Sequence, residues 1–155
     1  MNSITKTNEF VGEITKYFIL VIAFIVNYDI VARYFFNSPT AWAQELSTMF
    51  FGAYIILTGG YIHRYNGHVN MDLVYNKVSK KTKKVFRLIN FFIVLLFSLG
   101  LLWKGTETAG KSLIYLERSG SMWNPPIYPI KIALPIGAAL LFLQEIVNYR
   151  KDKIS

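Results

Sequence analysis

Apolar residues are concentrated in four long runs, with short polar segments between them. These runs cover residues 17–31, 46–62, 88–103 and 132–143. Of the four, only the first contains a charged residue, Asp29. A helix that crosses a bilayer needs about 20 predominantly apolar residues. Aromatic and basic residues at the ends of each run extend it to that length and favour the membrane surface.

A soluble bundle of four buried helices is the alternative to a membrane protein. Helices of soluble proteins carry a polar stripe at the helical period, whereas residues 91–97 are apolar on every face. The pattern therefore favours an all-α integral membrane protein with four transmembrane helices in a single domain over residues 1–155. We expect these helices at about residues 15–36, 42–63, 84–105 and 131–149.

Composition narrows the possible classes of protein. The chain is 53% hydrophobic and 17% charged, and it contains no cysteine. Such an apolar composition excludes an intrinsically disordered chain, and the lack of cysteine excludes a disulfide-stabilised secreted module. The formal net charge of +8 suits either a nucleic acid or a membrane surface as a partner. The positions of the basic residues decide between these two partners.

Basic residues are distributed unevenly over the two sides of the predicted membrane. Four spans place both termini and the second loop on one side, which holds twelve of the seventeen Lys and Arg residues. The positive-inside rule then predicts that both termini lie in the cytoplasm. A basic cluster in the second loop is expected to contact anionic lipid headgroups, and no nucleic-acid partner is expected. This cluster consists of Lys80, Lys81, Lys83 and Lys84.

The two outer loops differ in length. The first is very short, and Ser38 and Pro39 fit the N-cap and the first position of the second helix, which predicts a tight hairpin between the first two spans. The outer loop between the third and fourth spans is long, and residues 123–129 contain three prolines. Because proline restricts the backbone, we expect an extended, stiff segment with Trp123 and Tyr128 at the membrane surface.

Asp29 is a charged residue inside the first predicted span, where an unpaired carboxylate is costly. Arg33 follows four residues later on the same helical face, so an ion pair near the outer end of the span is one interpretation. The alternative is a small self-sufficient proton-coupled exporter in which Asp29 carries the proton. Trp42 and Glu45 leave a similar choice, between an interfacial aromatic beside an acid at a helix N-terminus and a contact with a partner helix.

No arrangement typical of an enzyme or a metal site is evident. The spacing of His63, His68 and Asp72 fits no standard zinc site. There is no Ser-His-acid set, phosphate-binding loop or pair of carboxylates at workable positions. We therefore expect no enzymatic activity, and no metal or other cofactor in this chain.

Small and polar residues of the spans indicate close packing against other helices. Ala133 and Gly137 are four residues apart in the fourth span and are small enough for another helix to approach closely. Asp29, Asn90 and Glu145 are polar residues that a partner subunit would cover. The spans are otherwise too poor in polar groups to line a path for a polar substrate.

Three motifs resemble the small membrane subunit, of the DctQ type, of tripartite ATP-independent periplasmic (TRAP) transporters. The first, in the hairpin, is Arg33-Tyr34-Phe35-Phe36-Asn37-Ser38-Pro39 followed by Trp42, Glu45 and Leu46. The second, after the second span, is Gly59-Gly60 followed by Gly67-His68-Val69 and Asp72. The third is Trp123-x-Pro125-Pro126-x-Tyr128-Pro129-x-Lys131 with Leu134-Pro135-Ile136-Gly137 and Gln144. Together they extend over nearly the whole chain in the order found in the family.

This resemblance implies a non-catalytic subunit of a sodium-coupled system that imports organic acids across the bacterial inner membrane. It implies three further features: a periplasmic substrate-binding protein, a large elevator-type membrane subunit that holds the substrate and sodium sites, and a scaffold role for the small subunit. Six residues are then candidates for contacts with these partners: Asp29, Arg33, Trp42, Glu45, Trp123 and Tyr128. Gly67, His68 and Asp72 are expected to form a motif of the cytoplasmic loop.

Overall fold

The computed structural model describes residues 3–64 and 80–154, and in these residues the chain forms four helices. They are α1 (Ser3–Phe35), α2 (Ala41–Arg64), α3 (Lys80–Ile114) and α4 (Tyr128–Ile154). The same residues contain no β-strand, and a single isolated bridge joins Arg118 and Pro126. The prediction of an all-helical chain is confirmed for this part of the molecule.

Three of the helices are long and apolar enough to cross a membrane. They are α1, the Thr82–Ile114 part of α3 and the Tyr128–Arg150 part of α4. Helix α2 does not reach the same apolar character. Its 24 residues extend for about 36 Å at 1.5 Å per residue, but glycine, serine, threonine and tyrosine lower its mean hydropathy. That α2 is a fourth span stays a prediction.

The helices alternate in direction along the chain. Phe18 of α1 lies edge to face against Phe50 of α2 with ring centroids 5.2 Å apart, so α1 and α2 are antiparallel neighbours. Helix α4 packs against both α2 and α3, and makes a smaller contact with α1. The ring of Phe91 in α3 stacks on Tyr149 of α4 at 4.2 Å. Helix α4 is therefore the central element that joins α3 to the α1–α2 hairpin.

Glycine allows the closest approach between helices. A Cβ atom at Gly137 of α4 would lie 2.4 Å from the carbonyl oxygen of Ile56 in α2. Ala133, four residues before it in α4, is 9% exposed. The predicted close approach is confirmed at Gly137, and Ala133 is buried as this prediction requires. Such contacts bring backbones together where van der Waals packing must replace the hydrophobic effect within a bilayer.

Large apolar side chains lie mostly on the outside of the helices. In α1, Phe24 is 75% exposed, and in α3, Trp103 is 76% exposed. The most fully buried larger side chains of the described residues are polar ones, with Gln144 and Asn8 the largest. A soluble protein has the opposite distribution. The chain thus offers apolar faces to lipid or to another protein and keeps many polar groups inside.

Polar contacts gather at the two ends of the molecule. We call the first the hairpin end, which comprises the end of α1, the start of α2 and residues 115–127 between α3 and α4. We call the second the polar end, which comprises the start of α1 and the last turns of α2 and α4. The antiparallel packing of α1 on α2 separates these two ends by the length of the helices.

Candidate functional site

Asp29 organises the hairpin end. Nη2 of Arg33 lies 2.8 Å from Oδ2 of Asp29, which is the ion pair that their spacing predicts. The backbone N–H of Thr40 donates to Oδ1 at 3.1 Å, and the Thr40 hydroxyl donates to the same oxygen. Both carboxylate oxygens are therefore used within the chain. The Asp29 side chain is 15% exposed, against 50% for Arg33.

The turn between α1 and α2 differs from the predicted one. Helix α2 begins at Ala41 rather than at Pro39, so Ser38 and Pro39 are not its N-cap and first residue. Asn37 has a φ of 50°, and the Ser38 N–H donates to the Ala32 carbonyl at 3.0 Å. This hydrogen bond thus ends α1 before the chain turns towards α2. Thr40 precedes α2 and binds Asp29. Capping rules consider only neighbouring residues, so they could not predict this contact between residues that are eleven positions apart.

Trp42 and Glu45 each contact a different part of the chain. The Trp42 ring lies 5.5 Å from the ring of Tyr28 in α1. Oε2 of Glu45 accepts a hydrogen bond from the Ser121 hydroxyl at 2.6 Å. Trp42 therefore closes the hairpin, and Glu45 attaches the outer segment, residues 115–127, to the start of α2.

The outer segment folds back on itself. The Ser119 N–H donates to the Pro125 carbonyl at 3.1 Å, and the Ile127 N–H donates to the Glu117 carbonyl at 3.0 Å. Gly120 and Asn124 have φ values of 72° and 50°, in the left-handed region that a tight reversal requires. The segment is therefore a braced turn, and the proline-rich portion returns towards α4 instead of running along the surface as one extended piece.

The two predicted interface residues of this segment differ in position. Trp123 lies at the turn and is 41% exposed, whereas Tyr128 is the first residue of α4 and is half-buried. Nζ of Lys131 lies 2.6 Å from Oε2 of Glu117 and ties the segment to α4. The hydrogen bond from Lys131 lowers the pKa of Glu117 below its ordinary value of 4.5. This ion pair is partly exposed to solvent.

A connected set of polar side chains occupies the polar end. We call it the polar set, and its members are Asn8, Gln144, Asn148, His63 and Glu145. Nδ2 of Asn8 in α1 donates to Oε1 of Gln144 in α4 at 3.0 Å. Gln144 donates to Oδ1 of Asn148 at 2.9 Å, and Asn148 donates to the backbone carbonyl of His63 at 2.9 Å. Asn8 and Gln144 are fully buried. These hydrogen bonds join α1, α4 and the last turn of α2.

His63 and Glu145 form a buried pair beside this chain of amides. Nε2 of His63 contacts Oε2 of Glu145, and the two side chains are 5% and 7% exposed. Glu145 is therefore covered by α2 of its own chain, which corrects the expectation that a partner subunit would cover it. Asn148 also binds the His63 carbonyl, one of the terminal carbonyls of α2 that lack a partner within the helix.

The sequence matches the family model of the DctQ component of tripartite ATP-independent periplasmic transporters over residues 22–152. The chain belongs to this family. No curated protein matches the sequence. The matched residues include the whole hairpin end and every member of the polar set except Asn8.

Membership of this family indicates what kind of protein the chain is. The DctQ-type subunit is a small membrane component of a transport system, and such components are generally not catalysts. The apolar helices of the DctQ-type subunit identify it as a multi-pass membrane protein. The family belongs to tripartite transporters, whose other members are a large membrane subunit and a periplasmic binding protein.

Two groups of predicted residues follow α2 in the sequence. Gly67, His68 and Asp72 of the DctQ-type subunit fall outside the described residues. The basic cluster lies in the first turns of α3, where the side chain of Lys83 is half-buried and that of Lys84 is exposed. Lys80 and Lys81 belong to the same helix. Their role towards lipid stays a prediction.

Sequence reasoning missed the polar set because it is assembled from distant positions. Asn8 and Gln144 are 136 residues apart, and His63 and Glu145 are 82 apart. One local signal was present: Gln144, Glu145 and Asn148 place polar groups on adjoining faces of one apolar helix. Polar residues within a membrane helix face other helices far more often than lipid. That rule indicates an inward-facing polar strip on α4.

Proposed function

We propose that this chain is the non-catalytic small membrane subunit of a sodium-coupled TRAP system that takes up organic acids across the bacterial inner membrane. It acts as a scaffold for the large elevator-type subunit. It also helps to form the surface on which the periplasmic substrate-binding protein docks. The substrate and sodium sites of this system lie in the large subunit.

The exposed apolar faces are the observation that carries the proposal. Phe10, Leu20 and Phe24 of α1 are each more than half exposed, and so are Phe92, Leu96 and Trp103 of α3. The largest buried polar side chains, Asn8 and Gln144, in contrast bind each other within the chain. A helix bundle that bonds its largest buried polar side chains internally and leaves wide apolar faces is suited to pack against a larger membrane protein.

The distribution of basic residues supports an orientation with both termini in the cytoplasm. Five basic residues lie on the side of the hairpin end, and four of these form ion pairs with acids of the same chain: Arg33, Lys104, Lys111 and Lys131. The carboxylate of Glu107 accepts hydrogen bonds from both Lys104 and Lys111, each at 2.8 Å. The other side holds the remaining twelve of the seventeen Lys and Arg residues, and the positive-inside rule places the side with fewer basic residues in the periplasm.

The outer segment is suited to a docking role on the periplasmic side. Glu45 and Lys131 hold it from two helices, while Met122 at its tip is 96% exposed and Trp123 stands beside it. A braced turn with exposed apolar side chains loses little conformational entropy when a partner binds. The binding protein would thus find a preformed surface.

Asp29 is poorly suited to the alternative function of proton-coupled export. Its oxygens are bound by Arg33 and Thr40, and it lies in the last two turns of α1 near the hairpin. A proton site that works in alternating access lies near the bilayer midplane and faces a cavity reachable from both sides. The scaffold function therefore has the stronger support.

Co-expression with the large subunit tests the proposal. We expect the two membrane subunits to co-purify in a defined ratio, and sodium-dependent uptake in vesicles to require both of them and the binding protein. A matched pair of variants sharpens the test: Leu20→Lys on the exposed face of α1 should weaken co-purification, whereas Glu13→Lys at a polar exposed position should not. Uptake or export by the purified small subunit alone would refute the scaffold role.

A further inference from the structure

A cavity of about 290 Å³ opens between α1 and α2 at the hairpin end. Its polar lining comes from Asp29 and Arg33 on α1 and from Gln44, Ser47 and Thr48 on α2. Val26 and Ile30 of α1 line the same space and are both more than 40% exposed. The cavity therefore has a polar part next to an apolar strip that faces the outside of the helix pair. Its volume is at the lower end for a ligand site.

The polar groups that remain free in this cavity are mainly donors. Both oxygens of Asp29 are already bound, by Thr40 and by Arg33. Within the described residues, the guanidinium of Arg33 bonds only to Asp29, and the Gln44 side chain makes no hydrogen bond. The Ser47 hydroxyl is buried and has no partner in the same residues. A group with several acceptor oxygens would satisfy all three side chains.

The residues around the cavity are typical of the level at which a membrane surface meets its hydrocarbon. It occupies the last turns of α1 and the first turns of α2, beside the paired rings of Tyr28 and Trp42. Aromatic residues of this kind are enriched at the level of lipid headgroups. Exposed Phe35 and Phe36 follow at the end of α1. An amphipathic molecule at this depth would have its polar group among the donors and its chain along Val26 and Ile30.

We propose that this cavity binds the phosphodiester headgroup of a membrane phospholipid. The free N–H groups of Arg33 and the Ser47 hydroxyl donate to the phosphate oxygens, the Gln44 amide closes over them, and one acyl chain follows the apolar strip of α1. Arg33 and Asp29 carry opposite charges, so the site does not require a net negative headgroup. The proposal depends on insertion in a membrane but not on the scaffold role.

The test is a fluorescence titration of the purified full chain in phosphate-free detergent. Trp42 reports on the cavity in a background with Trp103→Phe and Trp123→Phe, both at exposed positions. The probes are dihexanoylphosphatidylcholine below its micellar concentration, inorganic phosphate and dihexanoylglycerol. We expect saturable binding of the phosphatidylcholine alone. Equal saturation by phosphate would assign the site to a free anion, and equal saturation by the diacylglycerol would assign it to an acyl chain. Either result overturns the proposal.

Variants test the contacts one at a time. Arg33→Gln removes a charge-assisted donor and should weaken binding about tenfold. Ser47→Val removes the free hydroxyl without breaking any hydrogen bond of the described residues and should weaken binding several-fold. Lys104→Gln is the matched control, since it also removes a basic partner from a helical ion pair, and should leave binding unchanged. Binding that is equal in all variants would overturn the proposal.

A photo-crosslinker at Thr48 separates lipid from protein as the occupant. In the complex with the large subunit, we expect a crosslink to phospholipid. A crosslink to the large subunit alone would mean that a side chain of that protein fills the cavity, and would overturn the assignment to a headgroup. This result would leave the scaffold role intact, so the two proposals can fail separately.

Discussion

At the polar end, Asn8 and Gln144 are inaccessible to solvent, and His63 and Glu145 nearly so, and all four bond to another helix. At the hairpin end, Arg33 is half exposed, Glu117 and Lys131 are partly exposed, and residues 115–127 supply several of the partners. Polar groups at the polar end hold helices together within the chain. Those at the hairpin end shape a turn and a surface that another molecule can reach.

The difference shows how a small membrane subunit divides its polar residues. Buried polar groups without a partner are costly, and Asn8, Gln144, His63 and Glu145 bond across three helices. The hairpin end is more exposed to solvent, and exposed ion pairs add little stability but fix geometry. We therefore expect substitutions at the polar end to affect folding, and those at the hairpin end to affect recognition.

Removing one carboxylate from each end gives the largest contrast. Glu145→Ala removes the carboxylate from the buried His63 imidazole, which should cost about 1–3 kcal/mol for the lost buried hydrogen bond, and leaves a cavity that adds to this loss. Glu117→Ala breaks a partly exposed pair and should change stability little. SDS titration in mixed micelles, followed by circular dichroism, measures both. Equal losses would show that the two ends do not differ in the way that their burial indicates.

Two adjacent glycines test how closely the polar end is packed. A Cβ at Gly60 would lie 2.3 Å from Oδ1 of Asn8 and 3.2 Å from the carbonyl carbon of Leu140, whereas a Cβ at Gly59 meets nothing within 4 Å. Gly60→Ala should therefore cost about 1–3 kcal/mol. Gly59→Ala should be neutral or stabilising by up to about 1 kcal/mol, because alanine favours the helix. The same SDS titration checks both, and a harmless Gly60→Ala would contradict the close packing.

The sequence predicted features that depend on neighbouring residues and missed those that depend on the order of helices in space. The long apolar runs predicted helices because a bilayer leaves the backbone few alternatives, and the four-residue spacing predicted the pair of Asp29 and Arg33. Nothing local indicated that α4 lies between α2 and α3. Because that arrangement was not evident from the sequence, we expected a partner subunit to cover Glu145, whereas His63 of the same chain covers it.

The asparagines of α1 provide a smaller contrast between interhelical and local hydrogen bonds. Nδ2 of Asn8 donates to Gln144 in α4, while Nδ2 of Asn27 donates to the Ala23 carbonyl of its own helix. Asn8→Leu should cost about 0.6 kcal/mol and at most about 1.7 kcal/mol, the average and the maximum for hydrogen bonds between membrane helices. Asn27→Leu should cost less, since Asn27 is exposed. Unfolding in SDS decides, and a larger effect at Asn27 would reverse the proposed contrast.

The pH dependence of the hairpin end is the smallest effect. The hydrogen bond from Lys131 holds the pKa of Glu117 below 4.5, so the ionised carboxylate stabilises the folded chain above the unfolded pKa. This contribution is lost as the pH falls below 4.5 and through the pKa of the folded state. The stability difference between the wild type and Glu117→Gln should therefore be present at pH 7 and vanish in acid. A difference that persists unchanged into acid would mean that Glu117 acts through packing, as we expect of the polar end, rather than through its charge.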